Sequence, residues 1–179
     1  MKGLSIFKEY DIRIYEKLLT FIDELNAITR DAQNYGLTHG DFLFSNYNIT
    51  TDNKVNVFDF DECEYSWFIS DIAICAYYYL LGGNPSELHL KSEEARSSFI
   101  LFMSGYNAEN QLDDKEFERM DVFFKQRDFI LLSTIIGRGD SEPHWWDKML
   151  IEGALDRVMN DKPFVDVSFQ ESIIQCKNG

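Results

Sequence analysis

Basic residues are scarce. Seventeen Lys and Arg stand against 31 Asp and Glu, a formal charge of −14 over 179 residues. That balance argues against a chain that grips nucleic acid or an anionic membrane, because both need basic patches. It suits solubility and is compatible with a cationic ligand. Cysteine is also sparse. Cys63, Cys75 and Cys176 are odd in number and widely spaced, with no Cys-x-x-Cys. Neither a zinc site nor a disulfide framework is implied, and reduced thiols fit. No apolar run approaches transmembrane length, and the first residues carry no signal-peptide h-region. A cytoplasmic protein with no membrane partner is therefore expected. No internal repeat or low-complexity linker stands out. What is abundant is aromatic: 15 Phe and 9 Tyr, within a hydrophobic fraction of 45%. Such a chain can bury a real core and is not disordered, so residues 1–179 are expected to form a single domain.

The chemistry-bearing residues concentrate in two short stretches. The first is His39-Gly40-Asp41-Phe42-Leu43-Phe44-Ser45-Asn46, with the spacing His-x-Asp-x-x-x-x-Asn. The second is Val57-Phe58-Asp59-Phe60-Asp61, an apolar run that ends in acids. The residues between them read as a β-hairpin. Tyr47 to Thr50 is one strand, Thr51-Asp52-Asn53-Lys54 a polar turn, and Val55 to Phe60 the second strand. Closing the turn with Thr50 opposite Val55 places Asn46 opposite Asp59, with Cβ atoms ~4.5–5.5 Å apart. An amide oxygen and a carboxylate so placed could share a hard cation such as Mg²⁺.

These stretches resemble the catalytic loop and metal-binding turn of kinases, and in particular the aminoglycoside phosphotransferase and choline kinase family. The likeness continues through Phe58-Asp59-Phe60-Asp61-Glu62-Cys63-Glu64-Tyr65-Ser66-Trp67-Phe68 and Ser70-Asp71-Ile72-Ala73. It resumes at Pro143-His144-Trp145-Trp146 and Asn160-Asp161-Lys162-Pro163-Phe164-Val165-Asp166. The resemblance implies an α+β, mainly helical fold: the large C-terminal lobe of a protein-kinase-like fold, with a small β-hairpin at the catalytic loop. It implies that the γ-phosphoryl group of ATP passes to the hydroxyl of a small, in some members cationic, acceptor. Asp41 matches the catalytic base, and Asn46 and Asp59 match the two Mg²⁺ ligands. His39 matches the histidine that braces the loop, and Asp71 an aspartate that supports it from the next helix. Asp61 and Glu62 are candidates for substrate or second-metal contacts, and equally for surface acids. The pattern departs from the family at Leu43, where many members carry a second histidine, and at Ser45, where many carry glycine.

Kinase-like enzymes also need a glycine-rich loop and a strand lysine over the phosphates. Gly3 and Gly36 form no such loop, and Lys2 and Lys8 have no strand-like context. The nucleotide-binding N-terminal lobe is thus expected to be missing from this stretch, leaving it inactive or nearly so alone. Apolar surface left bare could be covered by that lobe or by a homodimer. Two other classes remain open. One is a non-catalytic ligand- or partner-binding remnant. The other is a phosphohydrolase using Asp59-x-Asp61, in which the His39–Asn46 pattern has no role.

The rest reads as scaffold. Asp11 to Ile28 is an amphipathic helix, with Ile14, Leu18, Phe21, Leu25 and Ile28 on one face. Trp67 to Leu81 is a buried helix closed by Gly82-Gly83, and its Tyr77-Tyr78-Tyr79 run reads as packing. Residues 84–90 form a loop, and Ser92 caps a helix to about Tyr106. Asp113 or Asp114 caps another, ending near Gly137, with Lys125 and Arg127 solvent-facing or ion-paired. Arg138-Gly139-Asp140 is a coincidental tripeptide. Pro143 starts a final helix, His144 to Met159, anchored by Trp145 and Trp146. His89 and His144 carry no ligand pattern.

Overall fold

A computed structural model describes residues 2–81, 93–110, 113–139 and 142–165. Among them are seven α-helices: α1 (Lys2–Tyr10), α2 (Ile12–Asn26), α3 (Phe68–Leu80), α4 (Glu93–Glu109), α5 (Asp114–Glu118), α6 (Met120–Arg138) and α7 (Trp145–Asn160). Two small antiparallel sheets accompany them: β1 (Tyr35–Thr38) with β4 (Glu64–Trp67), and β2 (Tyr47–Ile49) with β3 (Val55–Val57). The mainly helical α+β reading holds. The chain divides into two compact units, one of Met1–Thr29 with Phe124–Asp166, the other built mainly on Arg30–Phe123.

In the first unit, Asp11 starts α2. Its extended backbone and carboxylate satisfy the Arg13 N–H at 2.9 Å, a donor that a helix start leaves orphaned. Ile14, Leu18 and Phe21 then recur on the buried face, as their spacing requires. Phe21 and Phe7 both pack on Phe129 of α6, and α2 lies along α7. Beneath them Arg157 of α7 makes a bidentate pair with Asp128 of α6, at 2.6 and 2.8 Å. Both side chains are buried, and Phe164 covers the guanidinium at 4.9 Å. Lys125 reaches Glu24 at 3.6 Å, whereas Arg127 is buried rather than solvent-facing.

The second unit is organised on α3. Ile69, Ile72, Ala73, Ala76, Tyr77 and Leu80 are all buried. A helix apolar on every side belongs in a core. Tyr77 is fully buried and Tyr79 packs edge-on to Phe44, so the tyrosine run is packing. β1 and β4 pair Tyr35 with Trp67 through to Thr38 with Glu64, delivering the chain into the His39–Asn46 loop on one side and into α3 on the other.

Several boundaries differ from the sequence reading. The segment 35–38, which the sequence reading assigned to no element, is a strand. The helix expected from Asp113 to Gly137 is two: Asp113 caps α5, and a tight bond from Arg119 N–H to Glu116 O at 3.2 Å closes it before α6 begins. His144, not Pro143, sits at the start of α7. Its ring nitrogen accepts from Trp146 N–H, so Pro143 falls just outside the helix. Trp145 is 55% exposed and packs against its chain neighbours His144 and Trp146, so it is not buried as a core anchor. The Gly82-Gly83 stop, the 84–90 loop, the Ser92 cap, His89, Asp140, Asp166 and Cys176 lie outside the described residues.

Two predictions follow from burial. Asp128→Ala removes the carboxylate paired bidentately with the buried Arg157 guanidinium and should cost about 3–5 kcal/mol in urea unfolding. The double variant Asp128→Leu/Arg157→Met recovers much of that loss. Burial pushes the Cys75 thiol up to about 12, whereas Cys63 is exposed. Alkylation of native protein at pH 8 followed by peptide mapping should label Cys63 and spare Cys75.

Candidate active site

The loop from His39 to Asn46 has little regular hydrogen bonding of its own, so its backbone groups need other partners. Asp71, on the first turn of α3, supplies them. One carboxylate oxygen accepts the His39 N–H at 2.7 Å and the other the Gly40 N–H at 2.9 Å. Gly40 has φ +78°, and a Cβ there would stand 2.1 Å from the Glu62 carbonyl oxygen. Only glycine fits both the left-handed turn and that approach.

His39 is buried, with both ring nitrogens engaged. Nε2 lies 3.0 Å from the Phe58 carbonyl, to which it donates, and Nδ1 accepts the Asp41 N–H at 3.4 Å. The ring also packs on Phe60 and Phe42. It ties the loop to the segment after β3 and is not placed as a general base.

Asn46 is buried at the end of the 3₁₀ turn Phe44–Asn46. Its amide nitrogen donates to the Asp41 carbonyl at 2.8 Å and approaches the Asp41 carboxylate at 3.3 Å, while Oδ1 accepts from the Ser45 hydroxyl at 3.0 Å. Asp41 and Asn46 are thus brought together. Ser45 is at home here, because its hydroxyl orients the asparagine.

The hairpin register is shifted by one residue from that expected. Tyr47 pairs with Val57 and Ile49 with Val55. Asn46 therefore faces Phe58, whose N–H donates to the Asn46 carbonyl at 3.0 Å, and not Asp59. The cause is the turn. Asn53 adopts φ +61° after a bond from its N–H to the Thr50 carbonyl, and Thr50 N–H bonds the Lys54 carbonyl. This is a three-residue loop ending in a left-handed residue, not a four-residue one. A slip of one exchanges the faces of a strand. The strand also stops at Val57, and Asp59, next to Asn46's partner Phe58, has φ +65°. Such a conformation in a residue other than glycine is strained and concentrates at functional sites.

Asp59, Asp61 and Glu62 are exposed. Phe60 to Cys63 closes a turn. Desolvation holds the Glu64 carboxyl above its ordinary range, with repulsion from Glu62 and Asp71 adding to it. Among the described residues no three His, Cys, Asp or Glu converge as a metal cluster. A Mg²⁺ held by one carboxylate, one amide oxygen and phosphate oxygens needs no such cluster, and the Asp59 carboxylate and Asn46 amide carry oxygen donors of that kind. Gly40, Phe42 and Phe60 were not singled out from sequence. Only the glycine between His39 and Asp41 hinted at a constrained turn.

The fold is that of kinases. It superposes on a solved structure described as "Amicoumacin kinase hAmiN in complex with AMP-PNP, Ca2+ and Ami", with a TM-score of 0.75 and 20% identity, over 95% of this chain and 52% of that one. A microcompartment-associated aminopropanol kinase matches with a TM-score of 0.56 and 18% identity, over 84% of this chain and 46% of that one. Residues 7–95 match the sequence model of the phosphotransferase enzyme family, and over that stretch the chain belongs to this family. It is 30% identical over 128 residues to the amicoumacin kinase of Bacillus subtilis (strain 168), covering 71% of this chain but 37% of that protein. The chain thus spans between about a third and a half of these relatives' length. No described helix is long and apolar enough to cross a membrane.

Gly40→Ala should destabilise the protein by roughly 1–3 kcal/mol in urea unfolding, from the left-handed backbone and the Glu62 contact. The Glu64 carboxyl is raised in the fold, so its ionised form is disfavoured there. That cost is present at neutral pH and is relieved as pH falls through the folded value. Glu64→Gln should therefore raise the melting temperature at pH 7, and the gain should vanish below about pH 4, beneath the ordinary glutamate value.

Proposed function

We propose that this chain forms the catalytic lobe of an ATP-dependent small-molecule phosphotransferase, with a small hydroxylated acceptor. The observation that carries the reading is the Asp41–Asn46 pair, held by Asp71 beneath it and by His39 beside it. An ordinary hairpin end needs no such bracing. Asp41 would orient the acceptor hydroxyl and accept its proton as the oxygen attacks the γ-phosphorus. Asn46 and Asp59 would hold Mg²⁺, which supplies charge neutralisation of the phosphates when bound. The relatives' names support the class: one solved kinase was captured with AMP-PNP and Ca²⁺. The strongly acidic chain suits a cationic acceptor.

Nucleotide capture in this reading needs a second lobe. Ile49, Val55, Phe58 and Phe60 are all exposed around the hairpin. So many apolar side chains in one region are a surface to be covered, by a further lobe of a longer polypeptide or one on another chain. The cytoplasm, where ATP is abundant and thiols stay reduced, is the proposed location.

In the complete polypeptide that carries this sequence, Asp41→Asn should lower kcat roughly 100- to 10,000-fold, the range of general-base loss. Acceptor binding by calorimetry should survive. Transfer of ³²P from ATP that is unaffected by Asp41→Asn would overturn the assignment. The 179-residue chain alone should fall far short of ordinary kinase turnover, about 1–100 s⁻¹. Turnover in that range would overturn the need for a second lobe.

A further inference from the structure

Beside the catalytic loop lies a cavity of about 420 Å³. Its wall is apolar: Phe42 from the loop, Phe68 and Ile72 from α3, and Phe102 from α4. Its polar groups are Asp71 and, on the last turn of α4 and just beyond, Tyr106 and Asn110. The size is within the range of small-ligand pockets. Among the described residues no basic side chain lines it.

The position follows from the chain. Phe42 adjoins Asp41, and Asp71 is the residue that grips the backbone of His39 and Gly40. Phe42 is stacked on Tyr47, with ring centroids 5.5 Å apart and an angle of 18°, and stands edge-on to His39. The cavity wall nearest the reacting group is therefore fixed before anything binds. The Tyr106 hydroxyl accepts from the Asn110 amide at 2.9 Å, so its own proton remains available to a guest.

We propose that this cavity takes the non-reacting part of the acceptor, and that this part is a flat, aryl-type group carrying an amine nearby. The proposal rests on the phosphotransferase reading of Asp41. Three phenylalanine rings and a buried isoleucine favour an apolar ring, and the π-faces also attract a cation. Each Asp71 oxygen accepts one N–H and retains a second lone pair for an ammonium donor. With Asp71 in the wall, Asp41 next to Phe42 on the adjoining loop, and no cation among the described lining residues, an anionic guest is repelled. A hydroxyl on the same small molecule would then face Asp41.

Three matched probes test this on the chain by calorimetry. Phenylalaninol has an aryl ring, an amine and a hydroxyl. Alaninol lacks the ring. Phenyllactate keeps ring and hydroxyl but is anionic. Phenylalaninol should bind at least tenfold more tightly than either. Phe102→Ala should weaken it at least fivefold, with the melting temperature reporting on folding. Asn110→Lys, at an exposed rim position, should weaken phenylalaninol and strengthen phenyllactate even if the Phe102 variant fails to fold. Equal binding of phenylalaninol and alaninol, no binding of any probe, or indifference to Asn110→Lys would overturn the assignment. These readouts use neither ATP nor turnover. Failure here with Asp41-dependent phosphoryl transfer intact removes only the pocket assignment. Success here with transfer indifferent to Asp41 removes only the catalytic one.

Discussion

Two backbone N–H groups, those of His39 and Gly40, are satisfied by a single carboxylate, Asp71. Hydrogen bonds to an ionised group contribute about 1.5–3 kcal/mol each, and an unsatisfied buried donor costs a similar amount. Asp71 also stands on the first turn of a helix, where a negative side chain is favoured by the helix dipole. The helix is itself the core of its unit. The His39–Asn46 loop is therefore fastened to the most buried element nearby.

From that clamp the rest of the site follows in short steps. A loop pinned at His39 and Gly40 turns sharply at Gly40, where the Glu62 carbonyl leaves no room for a side chain. The turn brings the Asp41 carbonyl and carboxylate to the Asn46 amide. The imidazole of His39 spans from the loop to Phe58, so the position of Asp59 one residue later is set by the same histidine. The stacked Phe42 then presents one wall of the neighbouring cavity. Each contact is individually modest. Together they hold polar groups in a geometry the hairpin alone would not specify.

Much of this was legible in the residues. The periodic spacing of Ile14, Leu18 and Phe21, and the largely apolar character of the segment ending at Leu80, define α2 and α3 because helical period and burial are local signals. The His39–Asp41–Asn46 spacing survives because all three lie in one short loop. Asp71 was reached by resemblance, and only the structure displays its two bonds. What was not legible is non-local or conformationally exceptional. The β1–β4 pairing joins four-residue strands far apart in sequence. The hairpin register turned on Asn53 entering the left-handed region, which asparagine tolerates without being obliged to adopt. The split between α5 and α6 depends on one tight bond at Arg119, for which the acidic and basic residues around it give no periodic warning.

The dependence of the loop on Asp71 can be measured without any ligand. Amide hydrogen exchange at His39 and Gly40, followed by NMR in the wild type and in Asp71→Ala, reads it directly. The amides should be protected in the wild type and exchange at least tenfold faster in the variant. The Asn46 side-chain amide resonance should shift as well, while amides in the middle of α3 keep their protection. Unchanged protection at His39 and Gly40 in a folded Asp71→Ala protein would contradict the clamp on which the site depends.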